Sequence, residues 1–209
     1  MNSDIIEMFR QKNKQILITT LGYDIEKNMT SLLETITNIF NLEFDNAIKN
    51  IISIYEDANL FDSKKFITDT INQIKMDSYC EFEQLLDNKK VKLEKVIGEM
   101  EFDQTHINNY YDTVLDTTTV LETDLKKYSI SDVQKKAYDV FMKQIDSLDN
   151  VDKHDILLSR IQDYLFNRLY GKLENKIHME LTLRDNNLIN KAKEGYLRYQ
   201  EICSKTEEK

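Results

Sequence analysis

Three histidines, two cysteines and a large set of carboxylates are the residues in this chain best suited to chemistry, so their spacing is weighed first. A di-iron bundle places a glutamate three residues before each metal-binding histidine, so that both project from one helical face. Here Asp103 precedes His106 at that spacing, but Val151 precedes His154 and Asn175 precedes His178. One substituted half-motif is all that remains, and no metal centre is expected. Cys80 stands between Tyr79 and Glu81 with no histidine near it in sequence, and Cys203 is as isolated; neither forms a CxxC pair. Nucleophilic catalysis, zinc ribbons and a disulfide framework therefore lack support. The glycines at 22, 98, 171 and 195 are too far apart for a phosphate-binding loop or a dinucleotide fingerprint, and no cofactor is expected.

The basic residues distribute unevenly. Lys89, Lys90, Lys92 and Lys95, interrupted by Glu94, read as a solvated helix face, and Lys126–Lys127 and Lys135–Lys136 are weaker versions of the same pattern. Arginine behaves differently: Arg160, Arg168, Arg184 and Arg198 fall in the last quarter of the chain among Tyr164, Tyr170, Tyr196 and Tyr199, with only Arg10 elsewhere. Arg160, Tyr164 and Arg168 are four apart and share one helical surface. Arginine and tyrosine are enriched in protein interfaces, so Arg160, Tyr164, Arg168, Tyr196 and Tyr199 form the candidate interface; the alternative is that they rim the helical core.

These residues need helices to position them, and the sequence has the composition of helices. Of 209 residues none is proline and four are glycine. Apolar side chains at Ile25, Met29, Leu33, Ile36, Phe40, Phe44, Ala47, Ile51, Tyr55 and Ala58 recur at the spacing of one long helix. Before it, Ile5, Phe9, Lys12 and Ile16 share a face of a first helix, which Gly22 is expected to end and Asp24 to follow with a new start. The long helix is expected to end near Asn59, with Asp62 and Ser63 as caps for the next. Stripes through Phe66, Ile67, Ile71 and Ile74, and then through Ile107, Tyr111 and Val114, leave open whether 66–128 is one helix or two. The run Thr117–Thr119 is expected to loosen its region. Ser131 and Gln134 read as a capping box for a short helix ending at Asp149–Asn150, and Asp152 as the cap of the last segment. There Ile161, Leu165, Leu169, Leu173, Ile177 and Leu181 recur by four, so the stripe drifts around the helix until Asp185–Asn187, a potential break.

The expected fold is all-α: an elongated bundle of long, amphipathic, antiparallel helices with coiled-coil character, a single domain over 1–209 with a possible subdivision near 129–131. Hydrophobic residues at 41% and charged residues at 31% are compatible with a packed core. A net charge of −9 repels phosphate backbones and anionic lipid, which disfavours nucleic acid and membrane as partners. There is neither a basic segment followed by an apolar run at the start nor an apolar stretch near ~18 residues anywhere, and the expected location is the cytoplasm. The function these features favour is non-enzymatic: helical protein–protein interaction or assembly, through a protein partner or self-association. The alternatives are an acidic inhibitor or decoy of a basic nucleic-acid-binding protein, and an enzyme whose site is assembled from residues distant in sequence.

Overall fold

A computed structural model describes residues 3–57, 64–128 and 151–207, together with the single positions 135, 139, 141 and 143. Among these residues there is helix and no strand. Helix α1 runs from Ser3–Asp57, α2 from Lys64–Gly98, α3 from Gln104–Tyr128 and α4 from Val151–Asp163; a π-helical segment, Tyr164–Leu169, leads directly into α5, Tyr170–Glu207. The capping box at Ser131, the cap residues Asp62, Ser63 and Asp152, and the subdivision near 129–131 lie outside the described residues or side chains.

The chain divides into two compact units. Unit 1 comprises Met1–Leu33, Leu86–Leu121 and Glu180–Lys209; unit 2 comprises Glu34–Leu85 and Glu122–Met179. Unit 1 is a four-helix bundle. Lys14 pairs with Glu101 and Lys90 with Glu26, which runs α2 antiparallel to α1. Asn28 meets Asn187, and Leu17 lies beside Gly195, which does the same for α5. Its core is built from Leu21, Ile25 and Leu32 of α1, Leu93 and Ile97 of α2, Ile107 and Val114 of α3, and Leu181, Leu188 and Ala192 of α5. In unit 2, Thr37 binds Tyr79 and Lys75 binds Asn41, so α1 and α2 are antiparallel there too. Phe40, Phe44, Phe82, Ile51 and Ile71 fill the centre, and Phe141 packs between Tyr55 and Phe66 at ring distances of 6.3 and 6.2 Å.

Three expected interruptions are corrected by the structure. Gly22 does not end a helix, because Leu21 and Ile25 on either side are buried and the cost of one helical glycine, about 1 kcal/mol, is small beside that burial. Residues 66–128, open in sequence between one helix and two, are divided at 99–103, where the buried Phe102 takes a left-handed backbone (φ 54°) and packs on Tyr199. Asp103 then caps α3: its carboxylate accepts the His106 backbone N–H at 2.8 Å. Asp185–Asn187 does not break α5, and the Thr117–Thr119 run does not interrupt α3. The by-four drift of the last stripe is partly taken up by the π segment. Its wider turn, closed by the Tyr170 N–H on the Leu165 carbonyl, keeps Leu165 and Leu169 on the buried side.

Candidate functional site

The most polar place in unit 1 is inside it. Lys89, read from sequence as part of a solvated basic face, is buried instead: its Nζ donates to Asp185 Oδ1 at 2.6 Å, to the Val114 carbonyl at 3.2 Å and to the Thr118 hydroxyl. That hydroxyl in turn donates to Asp185 Oδ2 at 2.6 Å. The side chains of Lys89 and Asp185 are only 1% and 5% exposed, so the ammonium and carboxylate compensate one another out of water. A substrate has no approach to such a pair, and the arrangement acts as a lock between α2, α3 and α5. The signal for it was available in sequence. Lys89 falls between Leu86 and Leu93 on the buried stripe of α2, Asp185 between Leu181 and Leu188 on that of α5, and Thr118 between Val114 and Leu121 on that of α3. Tyr110 lies in the same core with its hydroxyl unbonded; burial first, then the charges of Asp24 and Asp185, push its pKa well above the usual tyrosine value.

The remaining chemistry-bearing residues are dispersed. His106 sits against the Asp103 carboxylate at 2.9 Å, and hydrogen bonds from the His106 backbone and ring hold that carboxyl below its ordinary range. His178 Nδ1 lies 2.6 Å from Glu122 Oε1 at the edge of a cavity in unit 2. The side chain of His154 is outside the described set. Cys80 is exposed and Cys203 half-buried, both as thiols. Among the described residues no three His, Cys, Asp or Glu side chains converge as a metal site would require, and no helix is long and apolar enough to cross a membrane.

The five candidate interface residues are divided between the two units. Arg160, Tyr164 and Arg168 belong to unit 2, Tyr196 and Tyr199 to unit 1. Tyr164 and Tyr196 are each 9% exposed and so serve their cores; the Tyr164 hydroxyl accepts Asn50 Nδ2 at 3.0 Å. Arg160 reaches Asp57 and Arg168 reaches Asp163, both at 3.2 Å. Tyr199 is half-buried against Phe102, and burial, then its hydrogen bond with Cys203, pushes its pKa up to about 12.

A different surface does stand open. In a regular helix Ile5, Phe9, Lys12 and Ile16 fall within about 60° of one another and about 180° from the buried stripe Leu21, Ile25 and Leu32. The face recognised in sequence through these four residues therefore points away from the core of unit 1. Ile5 is 41%, Phe9 47% and Ile16 52% exposed, and Met8 beside them is 63% exposed. The half-buried residues of the same turns are Ile6, Arg10, Asn13 and Lys14, of which Lys14 pairs with Glu101, whereas Glu7 and Gln11 are exposed. Ile5, Met8, Phe9 and Ile16 thus leave an apolar stripe exposed on the first turns of α1, where an ordinary surface helix would carry polar groups. Compared with protein-family models, with curated proteins and with solved structures, the chain finds no match.

Proposed function

We propose that this chain is a non-enzymatic helical assembly protein that pairs with a second copy of itself through the outward face of α1. The observation that carries the reading is the bare stripe Ile5, Phe9, Lys12 and Ile16. Its spacing of four, three and four is that of alternating seam positions in a coiled coil. It is also palindromic. Laid antiparallel on its own copy, the stripe sets Ile5 against Ile16 and Phe9 against Lys12 of the second chain, the latter an ammonium over an aromatic face.

Charge favours a second copy over a foreign partner. Antiparallel pairing of identical helices places each flanking position against its own equivalent, so charged flanks repel. The flanking residues here are Ile6, Met8, Asn13 and Gln15, all uncharged, in a chain with a net charge of −9. A contact of this length buries on the order of 1,000 Å², at the low end of specific interfaces, so the dimer is expected at micromolar concentration rather than below.

Light scattering coupled to size exclusion, across a dilution series up to about 0.5 mM, tests the reading in the range where such small interfaces associate. The expected result is a mass that rises from one chain to two with concentration. Phe9→Asp or Ile16→Asp should hold the chain at one copy with unchanged helicity, because both positions are exposed. Lys12→Leu should strengthen the dimer by removing the lysine from both of its Phe9–Lys12 layers. A wild-type mass that stays at one chain throughout, or a dimer indifferent to Phe9→Asp, overturns the proposal.

A further inference from the structure

Helices α1 and α5 leave a groove of about 210 Å³ between them in unit 1, with Asn13, Ile16 and Leu17 on one wall and Tyr199 and Ile202 on the other. At this end each wall shows an apolar side chain to solvent, Ile16 at 52% and Ile202 at 36% exposed. Most of the charge in the lining is further along: Asp24 lies about two turns beyond Ile16, Glu194 and Lys191 lie about two and three turns before Ile202, and only Arg198 is within about a turn of it. A cavity of roughly 150 Å³ already admits benzene, so an aliphatic side chain has room in the uncharged end.

The groove runs beside the outward stripe of α1, and Ile16 belongs to both. Which part of a second copy reaches it follows from helix geometry. Asn13 borders the groove, and Ile6, seven residues earlier, lies on the same edge of α1 to within about 20°. Met8 and Gln15 lie on the other edge of the stripe. A two-fold axis between antiparallel helices brings like edges to the same side, so the Ile6 edge of the second copy runs along the α5 side of the first. The stripe also fixes the level. With Ile5 against Ile16 and Phe9 against Lys12, Ile6 of the second copy comes level with Gln15, between Asn13 and Leu17, where the uncharged end of the groove opens.

We propose that this groove is the seat for the Ile6 side chain of a second copy of the chain, formed twice in each dimer by symmetry. The inference rests on the pairing of α1 and adds to it an edge, a register and a second element in contact, α5. Ile6 is half-buried within its own chain and keeps apolar surface that the seat covers, together with the exposed parts of Ile16 and Ile202. An aliphatic group enters the uncharged end without stripping water from an ion. Two such seats extend the contact beyond the α1 seam, whose own area is at the low end of specific interfaces.

Isotope-filtered NOE spectroscopy tests the seat on the full-length chain. Equal parts of chain labelled at its isoleucine methyl groups and of unlabelled chain are mixed at the top of the dilution series, so that only contacts between copies are read. An Ile5–Ile16 contact reports the pairing of α1, and an Ile6–Ile202 contact reports the seat; both are expected. Ile6→Ala shortens the inserted side chain at both seats and should raise the dimer dissociation constant about 10-fold in the light-scattering series, with helicity unchanged, the order expected for apolar surface lost twice. Absence of the Ile5–Ile16 contact refutes the pairing and the seat with it. An Ile5–Ile16 contact without an Ile6–Ile202 contact overturns the seat and leaves the pairing standing, as does a dimer whose dissociation constant is unmoved by Ile6→Ala.

Discussion

Replacing Lys89 by methionine removes the ammonium from the lock in unit 1 and leaves Asp185 buried, with the Thr118 hydroxyl still on Oδ2 and its Oδ1 bond lost. Methionine fills a similar volume, so the loss is electrostatic rather than a cavity. Breaking a buried pair from one side costs about 3–5 kcal/mol, because the surviving charge is neither solvated nor compensated. For a chain of this size that is a fall in melting temperature of about 6–20 °C, at roughly 2–4 °C per kcal/mol. Asp185→Leu should cost a similar amount, because it removes the carboxylate that compensates the buried Lys89 ammonium. The double variant Lys89→Met/Asp185→Leu should return to within about 1 kcal/mol of the wild type or exceed it, since no buried charge is then left alone. Urea unfolding followed by far-ultraviolet circular dichroism, with the four proteins closing a double-mutant cycle, measures all of this on one scale. If Lys89→Met stays within about 1 kcal/mol of the wild type, or the two single losses simply add in the double variant, the pair is not the compensated charge argued for here.

Gly22→Ala should stabilise the chain by about 0.5–1 kcal/mol in the same urea assay, because the new Cβ meets Ile97 Cδ1 at an ordinary 3.7 Å. Gly195→Ala should gain less or lose, since its Cβ would stand 3.2 Å from Leu17 Cδ2, which must then give way. Asp103 has a depressed carboxyl in the folded chain, so its contribution is present above the unfolded pKa and is lost as pH falls through the folded one; amide exchange at Thr105 and His106 should quicken below the normal carboxylate range, and in Asp103→Ala at every pH. Tyr55, Tyr110 and Tyr170 have raised pKa values through burial, so the stability they contribute is complete below pH 10 and declines above it, as tyrosinate becomes available only to the unfolded chain. Tyrosinate absorbance in an alkaline titration should therefore appear in two stages, the second coinciding with loss of helix.

The parts of the fold that sequence made legible are those written in local periodicity. Ile25, Met29, Ile36, Phe40, Phe44, Ala47, Ile51 and Tyr55 are all buried, as one helical stripe requires. The misread places share a cause. Asp185 and Lys89 look like a helix break and a solvent-facing base when each is considered among its neighbours, yet they are partners 96 positions apart whose charges cancel only after α2 and α5 pack. Gly22 resembles a stop signal because glycine is weak in helices, but the stripe on either side outweighs it. The outward face of α1 was visible as a pattern in Ile5, Phe9, Lys12 and Ile16; that it faces away from the core was not, since periodicity gives the existence of an apolar side and not the direction in which it points. The groove between α1 and α5 had no sequence signal, because its walls, around Ile16 and Ile202, come together only when the helices pack.

The interleaving of the units has a consequence for biosynthesis. Unit 1 takes its first strip of chain from Met1–Leu33 and its last from Glu180–Lys209, whereas unit 2 draws only on the span between. At typical translation rates the opening strip leaves the ribosome on the order of ten seconds before the strip that seals it. During that interval Leu21, Ile25, Met29 and Leu32 lack the α5 side of their core, so the nascent chain keeps a sticky rod open until the strip Glu180–Lys209 arrives, and unit 1 closes only after the whole of unit 2 has been made.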